Sequence, residues 1–227
     1  MPKRIDLYNF EIECSMKARL WLEEPEDYVN EYRLDLIYEP DEDEDEAGER
    51  ETAGVLVAFK IRTTDAFIDK EPIRNVFDAH SQGLLDYYNV LYDPATREFK
   101  RSILDQFHAL GVSDLLIIYT CALAPKWRGQ NLGWLFVRRA MHLLGSGCEL
   151  VACDPYPMSE GLADELSVPR SWLINGRVDE ELACTRLRKY FMGMGFQEVD
   201  DHYLLAGIEC VDCPSLKRLV KHTSLLS

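Results

Sequence analysis

The sequence predicts one α/β (α+β) domain spanning residues 1–227. Three observations predict it. Apolar and polar residues alternate in three early segments, the pattern of half-buried strands. Two later segments repeat apolar residues at helical spacing. The second half then runs strand, turn, amphipathic helix and strand, the unit of a parallel pair with a helical crossover. A chain of 227 residues with 47% hydrophobic content suits one domain with a core, or one domain carrying an insertion.

The elements follow in chain order. Tyr8, Phe10, Ile12 and Cys14 alternate, as do Tyr32, Leu34, Leu36 and Tyr38, and then Val55, Val57, Phe59 and Ile61. The last two runs flank the acidic run Glu39 to Glu51, EPDEDEDEAGERE, and most simply form a hairpin with a long mobile tip. Ile73, Phe77, His80, Leu84, Tyr88 and Leu91 make one helical stripe, which Asp93-Pro94 breaks. Phe99, Ile103, Phe107 and Leu110 make a second, which Gly111 can end. Leu115 to Leu123 reads as a strand. Leu132, Leu135, Phe136, Ala140, Leu143 and Leu144 define one face of a helix, and Leu150 to Cys153 a short buried strand. Residues 154–178 carry Pro155, Pro157, Gly161, Pro169 and Gly176 and read as an irregular insertion. A helix is expected over Asp179 to Met194. A strand hairpin follows, with arms near Phe196 to Val199 and Tyr203 to Ala206.

Composition excludes several classes. The formal charge is −15 and the pI about 4.7. Such a field repels nucleic acid and anionic lipid and attracts amines, polyamines or basic tails. It also keeps a protein dispersed, and residues 39–51 read as a solvated loop that serves either end. No segment is apolar enough to cross a membrane, and the N-terminus MPKRIDLYNF has no apolar signal core. Seven cysteines without dense spacing suit a reducing compartment, so a cytoplasmic location is expected. Nucleic-acid and membrane partners are not expected.

The most informative segment is Leu115 to Gly133, LLIIYTCALAPKWRGQNLG. A strand that feeds a helix through a basic, glycine-containing turn presents backbone N–H groups to a pyrophosphate. This segment resembles the acetyl-CoA-binding motif of the GCN5-related N-acetyltransferases: Arg or Gln, two residues, Gly, one residue, Gly or Ala. Arg128-Gly129-Gln130-Asn131-Leu132-Gly133 matches at Arg128 and Gly133, with Asn131 at the first glycine position. Asn tolerates left-handed backbone better than most residues. The resemblance covers residues 115–207 and implies a mixed central sheet flanked by helices, with acetyl-CoA as cosubstrate. In that picture the strand splays from its neighbour, and the backbone of Cys121 and Leu123 hydrogen-bonds the pantetheine arm. The pyrophosphate lies over Arg128, Gly129, Gln130, Asn131, Leu132 and Gly133.

A second family signature is a Tyr followed four and five residues later by Gly-Phe. LRKYFMGMGF resembles it, with Phe191 in the tyrosine position and Tyr190 one residue away. The family tyrosine protonates the departing thiolate, so Tyr190 is the candidate acid. One residue is about 100° around a helix, so this needs an irregularity. Cys184 stands where the family often has a CoA-contacting Asn. The family runs strand, two helices and then three strands, whereas here three strands precede the helices. Either those strand assignments are wrong or the N-terminal half is rearranged or divergent.

Acetyl transfer to an amine by direct attack needs a base, a polarised carbonyl and a stabilised thiolate. The resemblance assigns the carbonyl contact to backbone N–H near Leu123. Asp154, after the second strand, and Asp114, before the first, are the candidate bases. Asp154 is the better placed, because strand C-terminal ends line clefts. The amine acceptor is unspecified beyond a cationic leaning, and monomer and homodimer are both open. A non-catalytic member of the same fold stands as the alternative. Asp78-Ala79-His80-Ser81-Gln82 cannot make a triad within one helix, and His80 reads as a packing residue. Cys210 and Cys213, with His202 and His222, fit no zinc pattern, so no metal is expected.

Overall fold

The computed structural model describes residues 6–18, 20, 23–40, 49–111, 113–173, 180–200 and 202–209. Residues 41–48 of the acidic run, 174–179 of the insertion, and Cys210 and Cys213 lie outside them.

Seven strands form one sheet in the order β1-β2-β3-β4-β5-β7-β6. They are β1 (Phe10–Lys17), β2 (Val29–Tyr38), β3 (Glu51–Ile61), β4 (Asp114–Leu123), β5 (Cys148–Cys153), β6 (Gln197–Glu198) and β7 (Leu204–Gly207). Strands β1 to β4 run antiparallel to their neighbours, β4 and β5 are parallel, and β7 is antiparallel to both β5 and β6. Tyr38 faces Glu51 across the expected β2–β3 hairpin. The sheet is thus mixed and flanked by helices, and three strands do precede the first helices.

β3 is more deeply placed than alternation alone suggests. Its intervening positions Ala53, Leu56 and Ala58 are fully buried against one face, while Val55, Val57, Phe59 and Ile61 pack on the other. A strand with neighbours on both edges and helices on both faces loses its polar side.

The helices correct the sequence reading in three places. Between β3 and β4 lie four helices: α1 (Thr63–Asp69), α2 (Ile73–His80), α3 (Gln82–Leu91) and α4 (Arg101–Phe107). The expected single stripe from Ile73 to Leu91 breaks at Ser81, which is extended (φ −168°, ψ 157°) and caps α3 by accepting from Leu84 N–H. Serine at that position offers the backbone a cap, which hydrophobic spacing does not register. His108, left-handed at φ 53°, ends α4 before Gly111 is reached.

The remaining helices are α5 (Leu132–Leu144), α6 (Glu160–Glu165) and α7 (Glu180–Gly193). α5 buries Leu132, Phe136, Val137, Ala140, Met141 and Leu144; Leu143, expected on that face, is 45% exposed. The insertion is not wholly irregular, since Ser159 caps α6 and Arg170–Trp172 form a 3-10 turn.

Two cores result. α5 and the end of α7 cover one face of the sheet, with Phe136, Leu116, Ile118 and Phe191 at the centre. The helices α2 to α4 and residues around Trp172 cover the other, around Phe77, Leu84, Leu115 and Ile117.

Candidate functional site

The site begins where β4 and β5 part. Their pairing runs from Asp114–Cys148 to Ile118–Cys153 and stops there, while β4 continues to Leu123 against β3. The register between β3 and β4 shifts at Val57/Ala58, leaving Tyr119 unpaired as a bulge. Beyond it, Ala124 N–H donates to Ala53 C=O at 2.9 Å. Hydrogen-bonded pairs alternate along an antiparallel ladder, so Ala122 faces β3 while the backbone groups of Cys121 and Leu123 point to the open side. On that side the Leu123 carbonyl is taken by the Arg128 guanidinium.

The turn after β4 is braced from below. Pro125–Trp127 form a 3-10 turn, and the Trp127 ring packs on Phe10 and Tyr38 at 5.1 and 4.8 Å. Its indole N–H donates to Glu51 at 3.1 Å, and Lys126 pairs with the same carboxylate. Gln130 donates to the Lys126 carbonyl at 3.0 Å. Gly129 (φ 75°) and Asn131 (φ 57°, ψ 6°) both take left-handed backbone, a conformation that glycine and asparagine adopt more readily than other residues. Leu132 is buried and anchors the first turn of α5 in the core. The first N–H groups of a helix lack intrahelical partners, and Asn131 gives them no side-chain cap.

Two side chains sit otherwise than the sequence suggests. Arg128 does not project over the turn. Its Nε donates to the Leu123 carbonyl at 2.9 Å and its other nitrogen to the Trp172 carbonyl, tying the end of β4 to the insertion. Tyr190 reaches the start of α5. A Cβ built on Gly133 would stand 2.6 Å from the Tyr190 hydroxyl and 3.6 Å from Leu123. The Trp134 backbone N–H donates to the Asn131 carbonyl at 3.1 Å, and the Tyr190 and Trp134 rings pack at 5.7 Å. Burial, then the neighbouring Cys121, push the Tyr190 hydroxyl far above its ordinary pKa. So raised, it is a poor acid. α7 carries no irregularity, and Phe191, 7% exposed, turns into the core against Phe196 at 5.4 Å. The single-residue offset is therefore real: Phe191 holds the helix down, and Tyr190 faces the groove between α5 and α7. Cys184 lies half-buried on the same helix.

Asp154 follows β5 on the other side of the sheet from Tyr190. It neighbours the buried Tyr87, whose hydroxyl pKa burial and then the Cys153 and Asp154 charges raise, and Tyr87 packs on Tyr203 at 4.9 Å. Both rings belong to the opposite core. Burial raises the Asp154 carboxyl pKa, against the opposing pull of His202 and Arg188. The structure thus sets Tyr190 and Asp154 on opposite faces beside the β4–β5 gap and does not bring them into one acid–base pair. Asp114 is removed from the site. At the far end of β4 it lies 3.5 Å from Lys60 and accepts from Thr64 N–H.

His80 ends α2 with its ring on Phe59 at 4.9 Å and a buried Nδ1 that no described group reaches. It borders a cavity of about 370 Å³ with Glu26 and Glu31. Sequence reasoning overlooked Trp134. Trp134 carries the one legible signal, a large aromatic off the apolar stripe in the first turn of α5. Nothing local marks the Trp172 carbonyl as the partner of Arg128. Among the described residues no group of three or more His, Cys, Asp or Glu could hold a metal ion, and no helix is long and apolar enough to cross a membrane.

The parted β4–β5 pair, the left-handed backbone at Gly129 and Asn131 and the helix that follows lie together on one side of a mixed sheet. No family model matches the sequence, and no curated protein matches it. Among solved structures the chain is similar to a mutant of KacT, at 10% identity and TM-score 0.38 over 88% of this chain and 76% of that one. It is similar to a KacTA–DNA complex at 10% identity and TM-score 0.36, over 88% and 75%. It is also similar to arylalkylamine N-acetyltransferase 2 from Aedes aegypti, at 13% identity and TM-score 0.32, over 78% and 73%.

Proposed function

We propose that this protein is an acyl-CoA-dependent N-acyltransferase that moves acetyl from acetyl-CoA to a primary amine by direct attack. One observation carries the reading: the open backbone of Cys121 and the N–H of Leu123 lead straight into the left-handed turn at Gly129 and Asn131. Pantetheine has two amides, and an unpaired strand edge supplies matching donors and acceptors. The first N–H groups of α5 then suit the diphosphate. Leu123 N–H is the group assigned to polarise the thioester carbonyl.

Asp154 is the proposed base, acting on the amine through water from the face opposite the cofactor. Burial raises its carboxyl toward the range in which a base accepts a proton and gives it up again. A charge of −15 favours a cationic acceptor. The bond formed is amine N to acetyl C, the bond broken is C–S, and the amine proton leaves through Asp154.

Calorimetric titration of acetyl-CoA, CoA and desulfo-CoA into the folded protein tests cofactor use. Competition for one saturable site is expected, and no heat of binding to folded protein removes the proposal. Initial rates against acetyl-CoA and an amine should then give intersecting lines, whereas parallel lines would mean a covalent acyl-enzyme. A second reading, a CoA-binding protein without turnover, is favoured by Phe191, which has no hydroxyl to offer the thiolate. Binding without acetyl transfer to any primary amine of a broad panel would establish that second reading.

A further inference from the structure

The sheet ends differently at its two edges. β6, at one edge, is only Gln197–Glu198. β1, at the other, runs from Phe10 to Lys17 in unbroken register with β2. It carries no proline and no bulge, two of the devices that blunt an edge strand. Among the described residues no strand pairs with its outer side. The direction of its backbone groups follows from the ladder. Glu39 N–H donates to the Asn9 carbonyl at 2.8 Å, in line with the β1–β2 register, so the odd-numbered residues of β1 bond to β2. The N–H and C=O groups of Ile12, Cys14 and Met16 therefore point outward.

We propose that β1 is a self-association edge: two copies of this chain pair through it, antiparallel, about a two-fold axis at Cys14. One register suits backbone and charge together over most of the strand. With Cys14 opposite Cys14, Ile12 stands opposite Met16, Glu13 opposite Ser15 and Glu11 opposite Lys17. Each outward N–H and C=O then meets its counterpart. Sliding by one residue opposes outward groups to inward ones. Sliding by two sets Glu13 against Glu13 in one direction, and in the other leaves only Glu13–Lys17 paired. Lys17 lies 3.4 Å from Glu31 of its own β2 and is otherwise largely exposed, so Glu11 of the second copy can flank it from the other side. Apolar residues fit the same axis. Tyr8 is 97% exposed and Leu20 103%, one beyond each end of β1. Both are equally far in sequence from Cys14, so the axis brings Tyr8 of each copy toward Leu20 of the other. Met16, also exposed, is covered by Ile12.

Sedimentation equilibrium of the full chain, up to concentrations of order 100 μM, tests this. Physiological ionic strength screens the repulsion of two −15 charges beyond about 8 Å and leaves adjacent pairs in force. A dimer of twice 26.2 kDa is expected, with the Ile12 and Cys14 amides protected from hydrogen exchange only when it forms. Lys17→Glu and Glu11→Lys should each weaken association about tenfold or more, because each sets like charges opposite one another at two symmetric places. The double reversal should return it to within about threefold of wild type. Cys14→Pro removes an outward N–H at the axis, spares the β1–β2 ladder and should leave a monomer. If Cys14→Pro does not fold, the charge reversals alone decide. A wild-type monomer overturns the proposal: slow Ile12 and Cys14 amides would then mean that another segment of the chain holds the edge, and fast ones that the edge stays open. A dimer that the reversals leave unchanged overturns it too, since that dimer is built on another surface.

Discussion

Gly133→Ala measures the seat of Tyr190 without any ligand. The new Cβ stands 2.6 Å from the hydroxyl oxygen, 3.5 Å from the ring carbon that bears it and 3.6 Å from Leu123. The last two are ordinary contacts. The first is not, so the hydroxyl must retreat by roughly 0.8 Å to reach normal carbon–oxygen separation, which displaces the Tyr190 ring from its place on Trp134. Overpacking of this kind costs about 1–3 kcal/mol. Alanine returns up to about 1 kcal/mol of helix propensity. Gly133→Ala alone should therefore be neutral to destabilising, by about 0–2 kcal/mol. In a Tyr190→Phe background the oxygen is gone, the clash with it, and only the propensity gain remains. The double mutant should be more stable than the sum of the single changes by about 1–2 kcal/mol. Equilibrium urea denaturation of the four proteins measures this coupling. Additivity within about 0.5 kcal/mol would refute the placement of the hydroxyl over Gly133.

Two further outcomes follow from groups around the site. Burial raises the Asp154 carboxyl above its ordinary value of 3.8, so the folded protein holds that proton more tightly than the unfolded chain does. Stability is therefore lost as pH rises from 3.8 through the raised value, and stays lower above it. Asp154→Asn should melt higher than wild type at pH 7, with the gap closing below that ordinary value; a pH-independent gap would contradict it. Arg128→Gln should cost about 1 kcal/mol, because the guanidinium is largely exposed, and should speed proteolysis near Trp172 by freeing the insertion. Unchanged cleavage kinetics would show that Arg128 does not tether that segment.

Much of this was legible in particular residues. The β2–β3 hairpin followed from two period-2 runs around an acidic spacer, because alternation encodes which side of a strand is buried. The β4–turn–α5–β5 unit followed from an apolar run, a basic glycine-containing turn and a 3.6-residue stripe. Asn131 in left-handed backbone followed from its standing at a glycine position. The offset of Phe191 from Tyr190 was plain, because one residue is a fixed rotation on a regular helix. Where local chemistry competed with periodicity, the reading slipped. The cap at Ser81 divides a helix whose stripe looks continuous, and His108 closes α4 three residues before the glycine does.

Tertiary structure alone decided the partners. Arg128 meets a carbonyl 44 residues away, at Trp172, and nothing in the local pattern distinguishes that bond from a phosphate contact. Asp154 lies across the sheet from Tyr190 because β5 alternates its side chains between two cores, each built from distant helices. Tyr190 and Gly133 meet only because α7 and α5 pack side by side on one face. Sequence by itself determined which residues face which side of their own element, since backbone geometry imposes periods of 2 and 3.6. Which faces meet depends on contacts between segments far apart in the chain, and those contacts decided what occupies the turn.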